Sequence, residues 1–506
     1  MARKKRKCMK RMYKIIGMTL ILGIGFAYIE YKNEILIHSQ EEMEVVTVHM
    51  AIGKSSSNMK DFDKVSEAVN EKTREALGME LKLDFYDSNE SGLLEYLSEE
   101  PNVDLLLVSD IQEKVQKNIL LPLDVLLQEN GKDIYDVIAP EYINLGKINN
   151  IQYGIVLNRD MAEAYGVCMR KDLIEKYDID LEEVQTWEDI EEILEIVTKE
   201  EKIYGIAADT LMPFDSLGNS LGVLMSNEEE MKVVNYYETK EFHNWMKRIR
   251  SWKEKGYLYT KESMRYKSMS DRPFLYELLR EGQLFSYIVK YKPGINAQES
   301  KSAGRELVSV MIEDPIMTTD SSGFSQYGIY SGSQHPKEAM KMLNFLYTNK
   351  DITNLLCWGL EGEHYQKNKD GTISYPEGKK ESEIGYNFNL NWTLPNPYLA
   401  YVWEGDDLNL EEEIHLFNKT AMKSPALGFI FDDSDVKVEC EKCSEIVNMY
   451  LSGFLCGAFD VDQMLPKMIQ GLKDAGIDLI IEEKQRQLEK WQKQKIEKMK
   501  QYDGYY

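Results

Sequence analysis

From Val45 onward the chain alternates short β-type runs with segments of helical periodicity, which restricts it to layered α/β architectures. "VVTVHMAI", residues 45–52, carries β-branched residues in alternation, and Phe62, Val65, Val69 and Leu77 then follow at helical spacing. "MELKLDFYD" is the next strand, Ser91–Leu97 lies in a helix, and "VDLLLVS" is apolar throughout, as a strand buried on both faces must be. These runs imply a largely parallel sheet covered on both sides. "LLPLDVLLQENG" predicts a helix stopped by Gly131, and "YGIVLNRD" a strand running into a polar tip.

The alternation then restarts. "GVCMRKDLIEKY" is strand then helix, and "TWEDIEEILEIVTKE" is a helix capped by Thr186 with Asp189 three residues on. "YGIAADT", "GQLFSYIV" and "ELVSVMIE" are strands, and Trp245, Ile249 and Trp252 share one helical face. Further helices are expected in "HPKEAMKMLNFLYTNKDITNLLCWG", from near Pro466 to Gly476, and along Ile481, Leu488 and Trp491, with a fraying charged tail at 492–506. At 506 residues the chain exceeds one core, so two lobes are expected.

Charge separates the head from the body. The net charge is −25, yet eight basic and no acidic side chains occupy the first fourteen residues. The remaining 53 basic residues face 86 acidic ones, a balance of −33. Such a body repels phosphate backbones, which excludes nucleic acid as a partner. Behind the head lies the uncharged run Ile15–Ile29, so residues 1–29 form an export signal or anchor that puts the rest outside. Its length of roughly 22 Å falls short of the ~30 Å hydrocarbon core. Two readings stand: cleavage after Ala27, or retention with Tyr28, Tyr31 and Lys32 as interfacial flanks. Residues 30–44 are a polar linker.

No catalytic or metal signature emerges. In "GKS", Gly53–Ser55, a phosphate loop would need a glycine where Val48 stands. The histidines 38, 49, 243, 335, 364 and 415 lack metal spacing, no G-x-S-x-G elbow is present, and no cofactor is implied. Cys8 precedes the apolar run, and the other cysteines, 168, 357, 440, 443 and 456, are odd in number and form no disulfide framework. Cys440 and Cys443 read as a helical pair, because neither a redox nor a zinc context accompanies them.

Aromatic and amide side chains do gather in predicted loops, in "NRDMAEAYG", "CWGLEGEHY" and "YNFNLNWTLPNPY". Sugars offer apolar C–H faces and fixed hydroxyls, which flat rings and planar polar groups recognise. The strings "NRDMAEAYG…MRKDLIEKY…TWEDI", "HPKEAMKMLNFLY", "GLEGEHY", "YLAYVWEG", "FNKTAMKSPALGFIFD" and "LPKMIQGLKDAGID…EKQRQLEKW" resemble the family 1 extracellular solute-binding proteins of bacterial ABC importers. More narrowly, the chain is similar to the Gram-positive lipoprotein-like subgroup with a characteristic C-terminal domain. The resemblance spans about Val45 to Trp491.

It implies a two-lobed α/β periplasmic-binding-protein fold of type II, in the maltose-binding class, with several crossovers at a hinge. The lobes would then be 45–158 and 318–358 for the first, and 159–317 and 359–491 for the second, with the C-terminal domain in the last piece. Met212–Asn219 would be a cleft loop, and the segment near Trp358–Tyr365 would return the chain to the second lobe. The implied ligand contacts are Arg159, Asp160, Tyr165, Trp358, Glu361, Asn391 and Trp392. The expected role is delivery of a carbohydrate to an ABC permease, by a monomer at the outer face of the cytoplasmic membrane and without catalysis. A peptide or other polar solute, or service as an anchored receptor for a sensor, are the alternatives. The subgroup's lipidated cysteine has no counterpart after Ile15–Ile29, so attachment through that segment or release after Ala27 is expected instead.

Overall fold

The computed structural model describes residues 45–53, 58–87, 90–100, 102–109, 111–225, 231–260, 272–320, 325–387 and 391–503. The basic head, Ile15–Ile29, the linker, Cys8, His38 and Lys54–Ser55 lie outside the described residues.

Strand β1 (Val46–Gly53) runs parallel to β2 (Met79–Tyr86) on one side and β3 (Leu105–Val108) on the other. Helix α1 (Phe62–Leu77) joins β1 to β2 and buries Val65 and Val69. All four residues of β3 are buried, as its unbroken apolar run requires. After the short β4 (Ile155–Val156) the chain enters a second sheet with β5 (Glu163–Arg170), β6 (Tyr204–Ala207), β7 (Leu284–Tyr291) and β8 (Leu307–Met317). It returns to the first sheet as β9 (Gln326–Ile329), and β10 (Met422–Lys423) later pairs with β8. The two five-stranded orders are β2-β1-β3-β9-β4 and β10-β8-β5-β7-β6. Each sheet belongs to one lobe.

The sheets are mixed rather than largely parallel. β9 is antiparallel to β3 and β4, and β5 is antiparallel to β7 and β8. Repeated crossing is the cause: β8 ends where the chain leaves for the first lobe, so β9 starts at that edge and runs opposite to β3.

The second-lobe core shows how aromatic residues are absorbed. Helix α2 (Trp187–Glu201) begins with the capping box expected of Thr186 and Asp189. It packs with α3 (Lys240–Glu254), placing Trp187 and Trp245 at 4.7 Å and Trp245 and Trp252 at 5.4 Å between ring centroids. Each indole N–H finds an acceptor: Glu313 at 2.7 Å, the Asp209 carbonyl at 2.9 Å and Glu191 at 3.1 Å, respectively. The cluster is therefore buried without an unsatisfied donor.

Among the other helices are α4 (Pro336–Thr348), α5 (Lys350–Trp358), α6 (Leu410–Thr420), α7 (Lys437–Leu455), α8 (Val461–Ala475) and α9 (Ile477–Asp503). Three expectations change here. The segment from 359 to 400 packs with the first lobe, not the second: Tyr386 and Leu394 are buried in the cluster that holds β1 and β9 residues. Its β-bridge partner is near α1, where Tyr386 and Asn387 pair with Met59 and Asn58. α8 starts five residues before Pro466, capped by the Asp460 side chain, so the proline lies inside the helix. α9 continues through the charged tail to Asp503, because a Lys/Gln/Glu-rich segment has high helix propensity.

Trp252→Ala should lower the unfolding free energy by about 3–5 kcal/mol. Urea denaturation followed by circular dichroism measures this, and a loss below about 1 kcal/mol would contradict the packing described.

Candidate ligand-binding cleft

In open α/β sheets ligands collect outside the carboxyl ends of the strands. In the first sheet that edge is marked by Gly53 opposite Tyr86, and by Gln326 opposite both Val108 and Val156. In the second it is marked by Ala164 opposite Tyr291 and by Ile316 opposite Glu163 and Met422. The chain passes from one edge to the other through 157–162, and β8 at the second edge is followed by β9 at the first. The third passage follows residues 401–421 and includes α6, so it lies well beyond the expected Trp358–Tyr365. The space between these edges is the candidate cleft. A separate hollow of about 810 Å³, lined by Lys199, Lys202, Tyr204 and Tyr257 among others, opens at the other end of β6.

The crossing backbone is held by amide side chains. Asn418 of α6 accepts from the Met161 and Ala162 N–H groups at 2.8 and 3.0 Å and donates to the Arg159 carbonyl at 2.9 Å. Asn158 donates through Nδ2 to Asn396 Oδ1 at 3.0 Å, and its N–H donates to the Pro395 carbonyl at 2.8 Å. Asn396 in turn donates to the Tyr347 carbonyl at 2.9 Å. Neither Asn396 nor Asn418 was singled out from sequence, since an amide on a helix or loop carries no signal until its backbone partner is known.

Arg159 and Asp160 sit together on the first crossing, with Arg159 Nε 3.3 Å from Asp160 Oδ1. Lys292, just past β7, donates to the other Asp160 oxygen at 2.9 Å. Burial alone would raise the Asp160 pKa, but Lys292, Arg159 and local hydrogen bonds outweigh it and hold the carboxyl below its usual range. Nearby on β5 and β7, Glu163 pairs with Lys290 at 2.6 Å. Ser216, in the loop expected to face the cleft, donates to both Asp320 oxygens at 2.8 and 2.9 Å. Its neighbour Asp215 is buried and accepts from the Leu217 and Thr319 N–H groups at 3.0 and 2.9 Å, which ties that loop to the second crossing.

The other expected contacts divide. Trp392 is 57% exposed on a turn, Asn391–Thr393, whose Thr393 carbonyl accepts from Tyr327 Oη at 2.7 Å. Asn391 shares that turn. Tyr165 is only 7% exposed and lies in the second-lobe core. The strand that carries it is buried along nearly its whole length, so the ring offers no exposed stacking face. Trp358, at the end of α5, packs 5.5 Å from Trp403 and donates its indole N–H to the Tyr401 carbonyl at 3.1 Å. Glu361 pairs with Lys367 at 2.9 Å in the same outlying segment. The structure thus joins Arg159 and Asp160 at the crossing, while Trp358 and Glu361 belong to an aromatic cluster with Tyr401 and Trp403.

Two other groups are structural. Asp61, Glu363 and His364 come within metal-ligand reach of one another. His364 Nδ1 accepts the Leu360 N–H at 2.9 Å, so its proton is on Nε2, facing Asp61 at 3.3 Å. Lys64 meanwhile pairs with Glu363 at 2.5 Å and Asp61 at 3.6 Å. That arrangement suits a pin between α1 and the 359–400 segment, and not a cation. The approach is close enough that a Cβ on Gly385 would fall 1.8 Å from an Asp61 oxygen. Cys440 and Cys443 are buried on α7, where Cys443 Sγ donates to the Leu472 carbonyl at 3.7 Å and burial raises its pKa to about 11. Such a thiol is unreactive.

The family match now bears on this geometry. Residues 98–352 match the model of the bacterial extracellular solute-binding proteins. The chain belongs to that family. Residues 425–493 match a domain of unknown function. The chain is 24% identical over 459 residues to a carbohydrate ABC transporter substrate-binding protein of Streptococcus pneumoniae serotype 4, covering 88% of this chain and 90% of that one. It is also similar to the crystal structure of an N-glycan transport solute binding protein of Streptococcus pneumoniae, with TM-score 0.76, 21% identity, and coverage of 89% and 100% of the two chains. The same protein in complex with Man1GlcNAc overlays with TM-score 0.65 and 22% identity, covering 88% and 99%. The two-lobed fold of this solute-binding protein is therefore shared. Among the described residues no helix is long and apolar enough to cross a membrane.

The domain of unknown function supplies one buried charge to the cleft loop. Lys484 of α9 is fully buried, and its Nζ donates to the carbonyls of Ser216, Asn219 and Gly222 and to Asn219 Oδ1, at 2.7–3.1 Å. Burial pulls its pKa down from 10.5 to about 7 against the pull of Cys440, Asp215 and Asp320. Between those two values the unfolded chain binds a proton that the folded chain has released, so stability rises with pH there and is lowest below about pH 7. Relative to Lys484→Met, the parent should gain up to about 1.4 kcal/mol per pH unit above pH 7. Urea unfolding of both proteins from pH 6.5 to 9.5 checks it; parallel profiles would contradict it.

Proposed function

We propose that this solute-binding protein takes up a carbohydrate, an oligosaccharide or glycoside, between its lobes and delivers it to an ABC-type permease. Ligand stabilises the closed arrangement by its differential affinity for it. The single observation that supports this reading is the composition of the cleft edges. Carboxylates already neutralised or hydrogen-bonded, at Asp160 and Asp320, lie beside a crossing whose first-lobe flank carries an exposed indole, Trp392. Neutral hydroxyl-rich ligands need acceptors of this kind and a flat apolar face, and they bring no charge to compensate. The carbohydrate and N-glycan wording of the relatives points the same way.

On this reading the protein performs no chemistry. It acts outside the cytoplasmic membrane, attached through Ile15–Ile29 or released after Ala27. Arg159, Asp160, Asn391 and Trp392 are the proposed contacts, the ring stacking on a sugar face and the polar groups fixing hydroxyls.

A thermal-shift screen of residues 41–506 against Man1GlcNAc, Man5GlcNAc and a peptide panel tests the assignment. A sugar at a hundred times its Kd should add about 2.7 kcal/mol of stability. Trp392→Ala should weaken sugar binding by about tenfold, near 1.4 kcal/mol, in titration calorimetry. If only peptides raise the melting temperature, the sugar assignment fails; if Trp392→Ala binds like the parent, the proposed contact fails.

A further inference from the structure

The domain of unknown function touches both lobes near its start. Ser424 donates its N–H to the Met317 carbonyl at 2.8 Å, fixing the chain there at the end of β8. Beyond it a turn over residues 425–428, closed by the Phe429 N–H on the Ala426 carbonyl at 2.7 Å, reverses the chain, and the side chains that follow divide between the two lobes. Phe429 and Phe431 turn back to the C-terminal helices: Phe429 is buried in a cluster with Leu217, Leu224 and Leu488, against which Phe431 and Trp491 pack. Ile430, between them, packs on the first-lobe cluster that contains Val108 and Ile111. Asp432, two residues on, accepts from Gln116 Nε2 at 3.3 Å, and Gln116 ends the first-lobe helix Ile111–Gln116 that follows β3. Gln487 of α9 grips the Asp432 backbone on both sides, accepting its N–H at 2.9 Å and donating to its carbonyl at 2.7 Å.

We infer that residues 427–432 are an interlobe strap, and that a role of the C-terminal domain is to bias the relative orientation of the lobes through Ile430 and Asp432. The three chain crossings connect the lobes covalently but leave their angle free to change, as hinge motions require. The strap adds a non-covalent tie at the cleft edge of β3, on a segment held rigid from behind by aromatic packing and Gln487. Since Ile430 is half-buried and contacts the opposite lobe, its contact forms only in orientations near this one. Ile430 is thus a positioning residue: it acts on ligand affinity by setting the fraction of molecules in one orientation. The inference rests on the fold alone and stands whether or not the ligand is a sugar.

The test measures the interlobe distance in the full chain without ligand. Spin labels are placed at the exposed positions Val125→Cys in the first lobe and Ile196→Cys in the second, with Cys8 and Cys456 replaced by Ser. Double electron–electron resonance then gives the distance distribution. Ile430→Ala should move the ratio of the two orientations by about fivefold away from the parent's main distance. Gln116→Glu, an exposed change on the other lobe, sets a carboxylate against Asp432 and should shift the ratio the same way at low salt, with the shift fading at 1 M salt. A lowered melting temperature with an unchanged distribution in both variants would overturn the inference. Should Ile430→Ala not fold, Gln116→Glu decides alone.

Discussion

Three hydrogen bonds from Asn418 to the backbone of residues 159–162 hold the first crossing in place. A chain segment passing between two sheets has no ladder partner, so its N–H and C=O groups need other acceptors and donors. One carboxamide supplies both, and its own burial makes the bonds costly to lose. Because Asn418 sits on the third passage, the first and third crossings are tied to each other. Arg159 and Asp160 owe their position to that tie, and so does the spacing of the two strand edges that bound the cleft.

Charge is handled by local compensation throughout the cleft. Asp160 has Lys292 and Arg159, Glu163 has Lys290, and Asp320 has Ser216. An acidic protein thereby lines its candidate cleft with carboxylates that already have partners. Lys484 extends the same logic into the second-lobe core, where its Nζ lies within hydrogen-bond reach of four oxygens of the loop that carries Ser216. The C-terminal domain is therefore part of the binding lobe's architecture and not an appendage to it.

Much of the secondary structure was legible because it depends on local rules. The capping box at Thr186, the apolar β3 run and the Trp245–Ile249–Trp252 face are all as their spacing implies. Where local rules compete, the reading slipped. Pro466 looks like a helix start, yet the Asp460 cap begins α8 earlier and the helix tolerates the proline inside. The candidate site was legible only in part. Arg159, Asp160 and the Met212–Asn219 loop lie at strand ends, which polarity marks, whereas no spacing reveals that Tyr165 is buried in the second-lobe core or that Trp358 is half-buried against Trp403.

The sequence by itself determined an α/β chain of two lobes, an acidic body behind a basic head, and the family resemblance that the match over residues 98–352 bears out. Tertiary structure alone decided which lobe owns residues 359–400, that the sheets are mixed, and which amides and lysines support the crossings. Periodicity reports what each segment buries, but not against which partner. Lobe membership, strand direction and the burial of Lys484 are all matters of partner, settled only when distant segments meet.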